Sequence, residues 1–363
     1  MTKRPRLLAG GLLALVLCGW VWWSRAGATV PPPPDHLVEW RFDYDGAPHL
    51  LAEGTIYRQL PSGQCVWVAQ VFDPAQVARQ YVQKEGQWFR RGDEGEQTYL
   101  VPEPFRSSFE DGPEGVAGLR TLIGPVVGWT ELTLQSPITP NVSDYVALRK
   151  EILKHNADFR DARVEPLAAA AHTGTRGLRC TCPPPSGGMI CTKASLSTGL
   201  VRFVRGETLW FQAWFRSASD VLPHTLADFE CDYALQSPGL RISLGEEGFL
   251  EAELKALSKP RFKQPEDRRV AFPKREWVRV TVAASLDVLD GHVRIWQNET
   301  LVVDARGPTL PFPSGIINSL EIGVSAHSYG NQPAILDVDD ITLGHTPLEG
   351  VSSPPESQTE SQP

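Results

Sequence analysis

Positive charge is in short supply. The 363 residues carry 35 Lys and Arg against 43 Asp and Glu, a net charge of −8. A surface built throughout to grip nucleic acid is therefore excluded, and any anionic partner must meet a local basic patch. Also missing are a phosphate-binding glycine loop, a His-Glu-x-x-His helix and a Gly-x-Ser-x-Gly elbow. Nucleotide binding, zinc proteolysis and elbow-serine hydrolysis have no support without them. No internal repeat stands out, helical periodicity is scarce, and strands and helices do not alternate, so a parallel α/β sheet is not expected. What is plentiful is turn-forming sequence, with 31 glycines and 31 prolines beside 41% hydrophobic residues. That composition describes a folded, turn-rich protein long enough for one large or two ordinary domains.

Lys3, Arg4 and Arg6 precede an apolar run from Leu7 to Trp23, and Ala26-Gly27-Ala28 follows. Residues 1–28 read as a signal peptide, or as an N-terminal membrane anchor with Trp20, Trp22 and Trp23 at the interface. Either puts the body outside the cytoplasm, with the membrane a partner only if the segment is not cleaved. Residues 29–35, with Pro31 to Pro34, form a stiff spacer. Residues 346–363 are Ser, Pro, Glu and Gln and read as a disordered tail. Cys180, Cys182, Cys191 and Cys231 cluster in the exported part, so two disulfides of unspecified connectivity are expected.

Residues 36–104 form an extension of mixed α+β character, with strand-like pieces at His36 to Tyr44 and Gln64 to Phe72. The spacing predicts a helix from Pro74 to Lys84, opened by Asp73-Pro74. From 105 to 345 short strands dominate. In Leu209 to Arg216, Leu, Phe, Ala and Phe take one face and Trp210, Gln212, Trp214 and Arg216 the other. Further strands are predicted at 240–244, 249–254, 277–283, 292–296, 301–304, 320–326 and 335–343, with one helix at Asp144 to His155. The fold class is all-β, a two-sheet antiparallel jelly-roll sandwich.

Several phrases occur together in order: Phe109-Glu110-Asp111-Gly112, Ala171-His172-Thr173-Gly174, Gly206 to Phe211, Trp277-Val278-Arg279-Val280, Asp290 to Asn298 and Leu336 to Ile341. Over about two thirds of the chain this order resembles the concanavalin A-like jelly rolls. The branch it is most similar to holds heparin-lyase-like and glucuronan-lyase-like polysaccharide lyases and laminin-G-like modules. The resemblance implies a polysaccharide partner and, for the lyases, β-elimination on a uronate. It also implies a structural Ca²⁺ held by Glu110 near the first strand and by Asp339 and Asp340 in the last.

Three constellations could serve such a partner. Trp210, Gln212, Trp214, Arg216, Trp277, Arg279, Arg294 and Trp296, on the non-core faces of their strands, supply flat rings and guanidinium forks for a sugar chain. Lys255 to Arg279 contains nine basic residues against three acids, a run suited to an acidic polysaccharide. Asp228, Glu230 and Asp232 put three carboxylates on one strand face about 7 Å apart, a spacing that suits acid and base pairs. For elimination, Arg216, Arg241, Arg279 and Gln212 are candidates to neutralise a uronate, and His224, Tyr233, His292, His327 and Tyr329 to take its proton. The leading reading is an exported protein that binds a polysaccharide, preferably acidic, at the cell envelope or beyond it. A polysaccharide lyase and a non-catalytic envelope scaffold are the alternatives.

Overall fold

The structure, a computed structural model, describes residues 29–44, 47–70, 79–84, 87–91, 98–101, 104–124, 127–234, 237–255, 261–328 and 330–348. The signal or anchor segment, most of the tail, Lys259 and Tyr329 lie outside the described residues. Among those described, no helix is long and apolar enough to cross a membrane.

Five short strands open the chain: β1 (Thr29–Val30), β2 (Val38–Tyr44), β3 (Ala47–Ala52), β4 (Thr55–Gln59) and β5 (Cys65–Gln70). They form one antiparallel sheet in the order β1-β5-β4-β3-β2. A second small sheet holds β6 (Tyr81–Lys84), β7 (Gln87–Arg91) and β8 (Thr98–Val101). The helix expected up to Lys84 is therefore corrected at its C-terminal end, where Tyr81–Lys84 is a strand; 71–78 lie outside the described residues. Tyr81 is buried and its hydroxyl donates to the Val201 carbonyl at 3.2 Å. Pairing with β7 and this distant contact outweigh local helix signals.

The remainder runs β9 (Phe105–Ser107), α1 (Gly115–Leu122), β10 (Glu131–Gln135), α2 (Val142–Leu153), β11 (Arg163–Leu167), β12 (Gly177–Cys182), β13 (Thr192–Thr198), β14 (Phe203–Val204), β15 (Thr208–Ser217), β16 (Thr225–Glu230), β17 (Gly239–Leu244), β18 (Leu250–Lys255), β19 (Arg261–Phe262), β20 (Val278–Ser285), β21 (Gly291–Gln297), β22 (Thr300–Gly307), β23 (Ile316–Ile317), β24 (Ser319–His327) and β25 (Ala334–Gly344). Two antiparallel sheets make the sandwich. A seven-stranded sheet is ordered β10-β13-β24-β16-β17-β18-β19, and an eight-stranded one β11-β12-β25-β15-β20-β21-β22 with β9 also paired to β25. Period-two alternation explains the join. Leu209, Phe211, Ala213 and Phe215 of β15 are fully buried, and Phe211 meets Phe229 of β16 edge to face at 5.2 Å between ring centroids. Each such ring withdrawn from water contributes about 2–3 kcal/mol. The two-sheet jelly roll expected from the sequence is the observed architecture.

α2 starts where Asn141 and Asp144 satisfy each other's backbone N–H groups as a capping box, and it buries Leu148 and Ile152 on the sandwich. The expected disulfides are not present. All five described cysteines, Cys65, Cys180, Cys182, Cys191 and Cys231, are free thiols. Cys180, Cys182 and Cys231 are part of the core, where burial raises their pKa, that of Cys182 to about 12. They behave as small apolar residues there.

Candidate functional site

Along β16, Ala227 and Phe229 belong to the core, so Asp228 and Glu230 stand on the outer face of the seven-stranded sheet. Register then decides their neighbours. Asp228 lies opposite Glu321 of β24 on one side and Arg241 of β17 on the other; Arg241 lies opposite Glu253 of β18, and Glu253 opposite Arg261 of β19. One row across five strands thus reads Glu, Asp, Arg, Glu, Arg, with opposite charges adjacent in all but its first step. Arg241 grips Asp228 through two bonds of 2.7 and 2.9 Å and reaches Glu253 at 3.6 Å. Arg261 holds the other side of Glu253 at 3.3 Å.

The next row contains a gap that matters. Glu230 pairs with Gly239 and Gly239 with Lys255. Because glycine has no side chain, the Lys255 ammonium crosses over it to bond Glu230, and it also stands 3.5 Å from Asp228. Ser325 adds a 2.7 Å hydrogen bond to Asp228, and Ser195 donates to Glu321.

Asp228 is only 1% exposed. Burial by itself would raise its pKa, but the charges of Arg241 and Lys255, with hydrogen bonds from Arg241 and Ser325, hold the carboxyl far below the usual range. Glu230 goes the other way. Burial pushes it up to about 7, helped by the negative charges of Glu321 and Asp228, and Lys255 offsets only part of that rise. Lys193 of β13 is held charged chiefly by Glu321.

A cleft of about 570 Å³ opens over this network. Its wall is almost entirely polar: Glu230, Glu321, Lys193 and Lys255 from the sheet, Tyr145 from α2, Glu131 of β10, Asp232 just past β16, and Arg90 from β7 of the N-terminal extension. The Asp232 carboxylate accepts a hydrogen bond from the Asn318 amide, its backbone N–H donates to the Asn318 Oδ1 at 3.0 Å, and burial raises its pKa. Oxygens of Asp228, Glu230 and Glu321 lie within 4.8 Å of one another. Arg241, Lys255 and Lys193 already stand against these charges, so the group is an ion-pair network that balances itself without a metal.

No protein-family model matches this chain, and no curated protein matches it. Solved structures do. An endo-β-1,4-glucuronan lyase from the fungus Trichoderma reesei is 15% identical, covering 60% of this chain and 92% of its own, with a TM-score of 0.43. The cellulose-induced protein Cip1 is 16% identical over 52% of this chain and 88% of its own, with a TM-score of 0.40. The catalytic domain of a glycoside hydrolase family 131 protein from Coprinopsis cinerea is 14% identical over 52% and 78%, with a TM-score of 0.31.

Of the residues singled out in the sequence, Glu230 and Asp232 line the cleft, and Asp228 and Arg241 belong to the ion-pair network beside it. The other proposed catalytic groups do neither. His292 is on β21 of the opposite sheet, 2.5 Å from Asp304. His327 is wholly buried at the end of β24, its Nε2 against the Gln332 carbonyl, and burial lowers its pKa and keeps the ring neutral. His224 is likewise held neutral by burial. The Tyr233 hydroxyl accepts the Ile316 N–H, the ring packs edge-on against Phe312, and burial pushes the phenol far up.

The aromatic platform is divided in the structure. Trp210 and Trp296 are each 6% exposed, stacked at 6.4 Å with the Arg294 guanidinium beside both, and Leu301 and Leu348 pack on them. Trp214 stacks on His172 at 3.9 Å with Arg279 at 5.9 Å, and Trp277 carries Arg216 at 4.7 Å. Gln212 accepts from Thr281, and Arg216 with Arg179 clamps the buried Asp337. Trp210 and Trp296 are thus covered, whereas Gln212 and Trp214 line a second cleft of about 750 Å³ on the eight-stranded sheet. Part of the basic run is paired locally: Arg261 with Glu253 and Glu251, Arg269 with Glu247, Arg275 with Asp220, and Arg279 with Glu299.

Glu110, Asp339 and Asp340 meet donors rather than each other. Glu110 accepts from the Thr175 and Arg176 backbone N–H groups and the Thr175 hydroxyl. Asp339 accepts from His172, Thr173 and Asp340 backbone N–H groups, and Asp340 from the Thr173 hydroxyl. Carboxylates saturated by N–H and O–H donors are poor calcium ligands in that arrangement, and among the described residues these three form no common ligand set. In this conformation the trio does not fit the ion.

Lys193, Glu321 and Tyr145 escaped sequence reading. Glu321 sits 91 positions beyond Glu230, and only strand register brings the two together.

Proposed function

We propose that this protein is an exported jelly roll that holds a segment of a polysaccharide in the cleft on the seven-stranded sheet. The observation that carries the reading is the cleft wall. Most small-molecule pockets are largely apolar, whereas this one is lined by carboxylates, ammonium groups, a guanidinium, a phenol and the hydroxyls of Thr130, Thr133, Ser197 and Ser319. Such a wall suits a polyhydroxylated ligand and repels an apolar one. The network behind it fixes the side chains before the ligand arrives.

Elimination at a uronate is the second reading, favoured by Glu230. A carboxyl near 7, between Lys255 and Glu321, is tuned to take a proton at neutral pH. Glu230 would remove the proton from the carbon beside the uronate carboxyl, a carbon–carbon double bond would form, and the glycosidic oxygen would leave and be protonated from solvent.

Affinity electrophoresis of the whole chain in gels with neutral or uronate-containing polysaccharides tests the binding claim. Retardation by a polymer, lost in Lys193→Met, is the expected result; equal migration with and without every polymer overturns it. Ultraviolet absorbance of an unsaturated product, absent in Glu230→Gln, is the expected sign of elimination.

A further inference from the structure

Most charges around the cleft face an opposite charge, and one guanidinium does so without a close ion pair. Lys255 stands against Glu230 and Asp228, Arg241 against Asp228 and Glu253, and Lys193 against Glu321. Glu131 is held by Arg149 at 2.5 Å. Asp232 rests on Asn318, and its raised pKa leaves it reluctant to ionise. The charge of Arg90 favours the ionised form of Asp232, but the two form no ion pair. The described hydrogen bond of Arg90 is from Nη1 to the Gly199 carbonyl at 2.6 Å, and no described carboxylate lies within ion-pair distance of it.

That arginine is also positioned. Arg90 lies directly across the β6–β7 ladder from Tyr81, whose hydroxyl is tied to the Val201 carbonyl. Two bonds, to Gly199 and Val201, thus pin one hairpin of the N-terminal extension to one segment of the sandwich. The approach is close at Gly199, where a Cβ would stand 2.7 Å from the Arg90 Nη1 and displace the guanidinium. A guanidinium has five N–H donors in a planar fork. With one committed to Gly199, the rest of the fork is available at the cleft wall and has the geometry that matches a carboxylate.

We propose that Arg90 is the specificity-determining residue of the cleft: it binds the carboxylate of a uronate unit, so the preference for acidic sugar is supplied by the N-terminal hairpin and not by the jelly roll. This rests on the glycan reading of the same cleft. It assigns to the β6–β7 pair a planar guanidinium fork that the ammonium groups of the sandwich wall, Lys193 and Lys255, do not supply. It also moves the acidic preference away from the basic run at 255–279.

The test compares the full chain with Arg90→Gln and Arg90→Lys by affinity electrophoresis in gels with a polyuronate or a neutral polysaccharide. A hydrogen-bonded charge pair is worth about 1.5–3 kcal/mol, so the ratio of polyuronate to neutral retention should fall roughly tenfold or more in Arg90→Gln. Arg90→Lys, which keeps the charge without the fork, should recover part of that ratio; a merely structural loss would alter retention by both polymers together and would not be rescued selectively. An unchanged ratio in Arg90→Gln overturns the inference. So does a wild-type chain retained only by the neutral polymer, an outcome that leaves the cleft reading standing. If the wild type is retained by neither polymer, the cleft reading itself fails and the role of Arg90 falls with it.

Discussion

Replacing Glu230 by glutamine should change the pH dependence of stability in a way that isolates this one carboxyl. In the unfolded chain the group ionises near 4.5, and in the folded protein burial beside Glu321 and Asp228 raises it to about 7. Between those values the folded state keeps a proton that the unfolded state has released. Stability from this group is therefore full below 4.5 and is lost as pH rises to about 7, after which both states are ionised and no further loss occurs. Each unit of separation corresponds to about 1.4 kcal/mol, so the full window is worth about 3 kcal/mol. Glu230→Gln retains the shape and the acceptor for Lys255 but cannot titrate. The difference in unfolding free energy, variant minus wild type, should rise by about 3 kcal/mol from pH 4.5 to 7 and then flatten. Urea titrations at several pH values measure it, urea being chosen because guanidinium salt would screen the ion pairs. A difference that is flat across this window, or that falls with rising pH, would refute the assignment of Glu230 as the proton-holding member of the network.

Two further substitutions probe the frame. Asp337 is wholly buried and receives bidentate bonds from both Arg179 and Arg216, so Asp337→Ala leaves two guanidiniums unpaired and should cost about 3–5 kcal/mol in urea unfolding; a loss below about 1 kcal/mol would mean the clamp is no more than a surface pair. Gly239→Ala would set a methyl group 1.9 Å from the Phe229 carbonyl oxygen and 2.9 Å from the Glu230 Cα; the β16–β17 ladder must shift, with an expected loss of about 1–3 kcal/mol and weakened polysaccharide retention, and unchanged stability would show that the ladder is looser than the register implies.

The strands were legible in the sequence because period two is a local property. Leu209, Phe211, Ala213 and Phe215 announce a buried face without reference to any other part of the chain. The start of α2 was legible to within two residues for the same reason, its cap being contained in Asn141 to Asp144. The Asp228 and Glu230 stripe could also be read, since two carboxylates at alternate positions of one strand must share a face.

Alternation tells which side chains share the outer face but not what covers them. Trp210 and Trp296 were on the expected face, yet Arg294, Leu301 and Leu348 close over them. The same limit applies to charge. A run of basic residues has a large net charge along the chain, but Asp220, Glu247, Glu253 and Glu299 come from elsewhere to offset part of it. Local composition thus determined the class of fold, the strands and one acidic stripe of the site. Tertiary structure decided the rest, because register places Glu321 against Asp228, an empty position at Gly239 lets Lys255 reach Glu230, and a hairpin outside the jelly roll delivers Arg90. These are relations between segments remote in sequence, set by packing and hydrogen bonding across sheets rather than by the periodicity of any one strand.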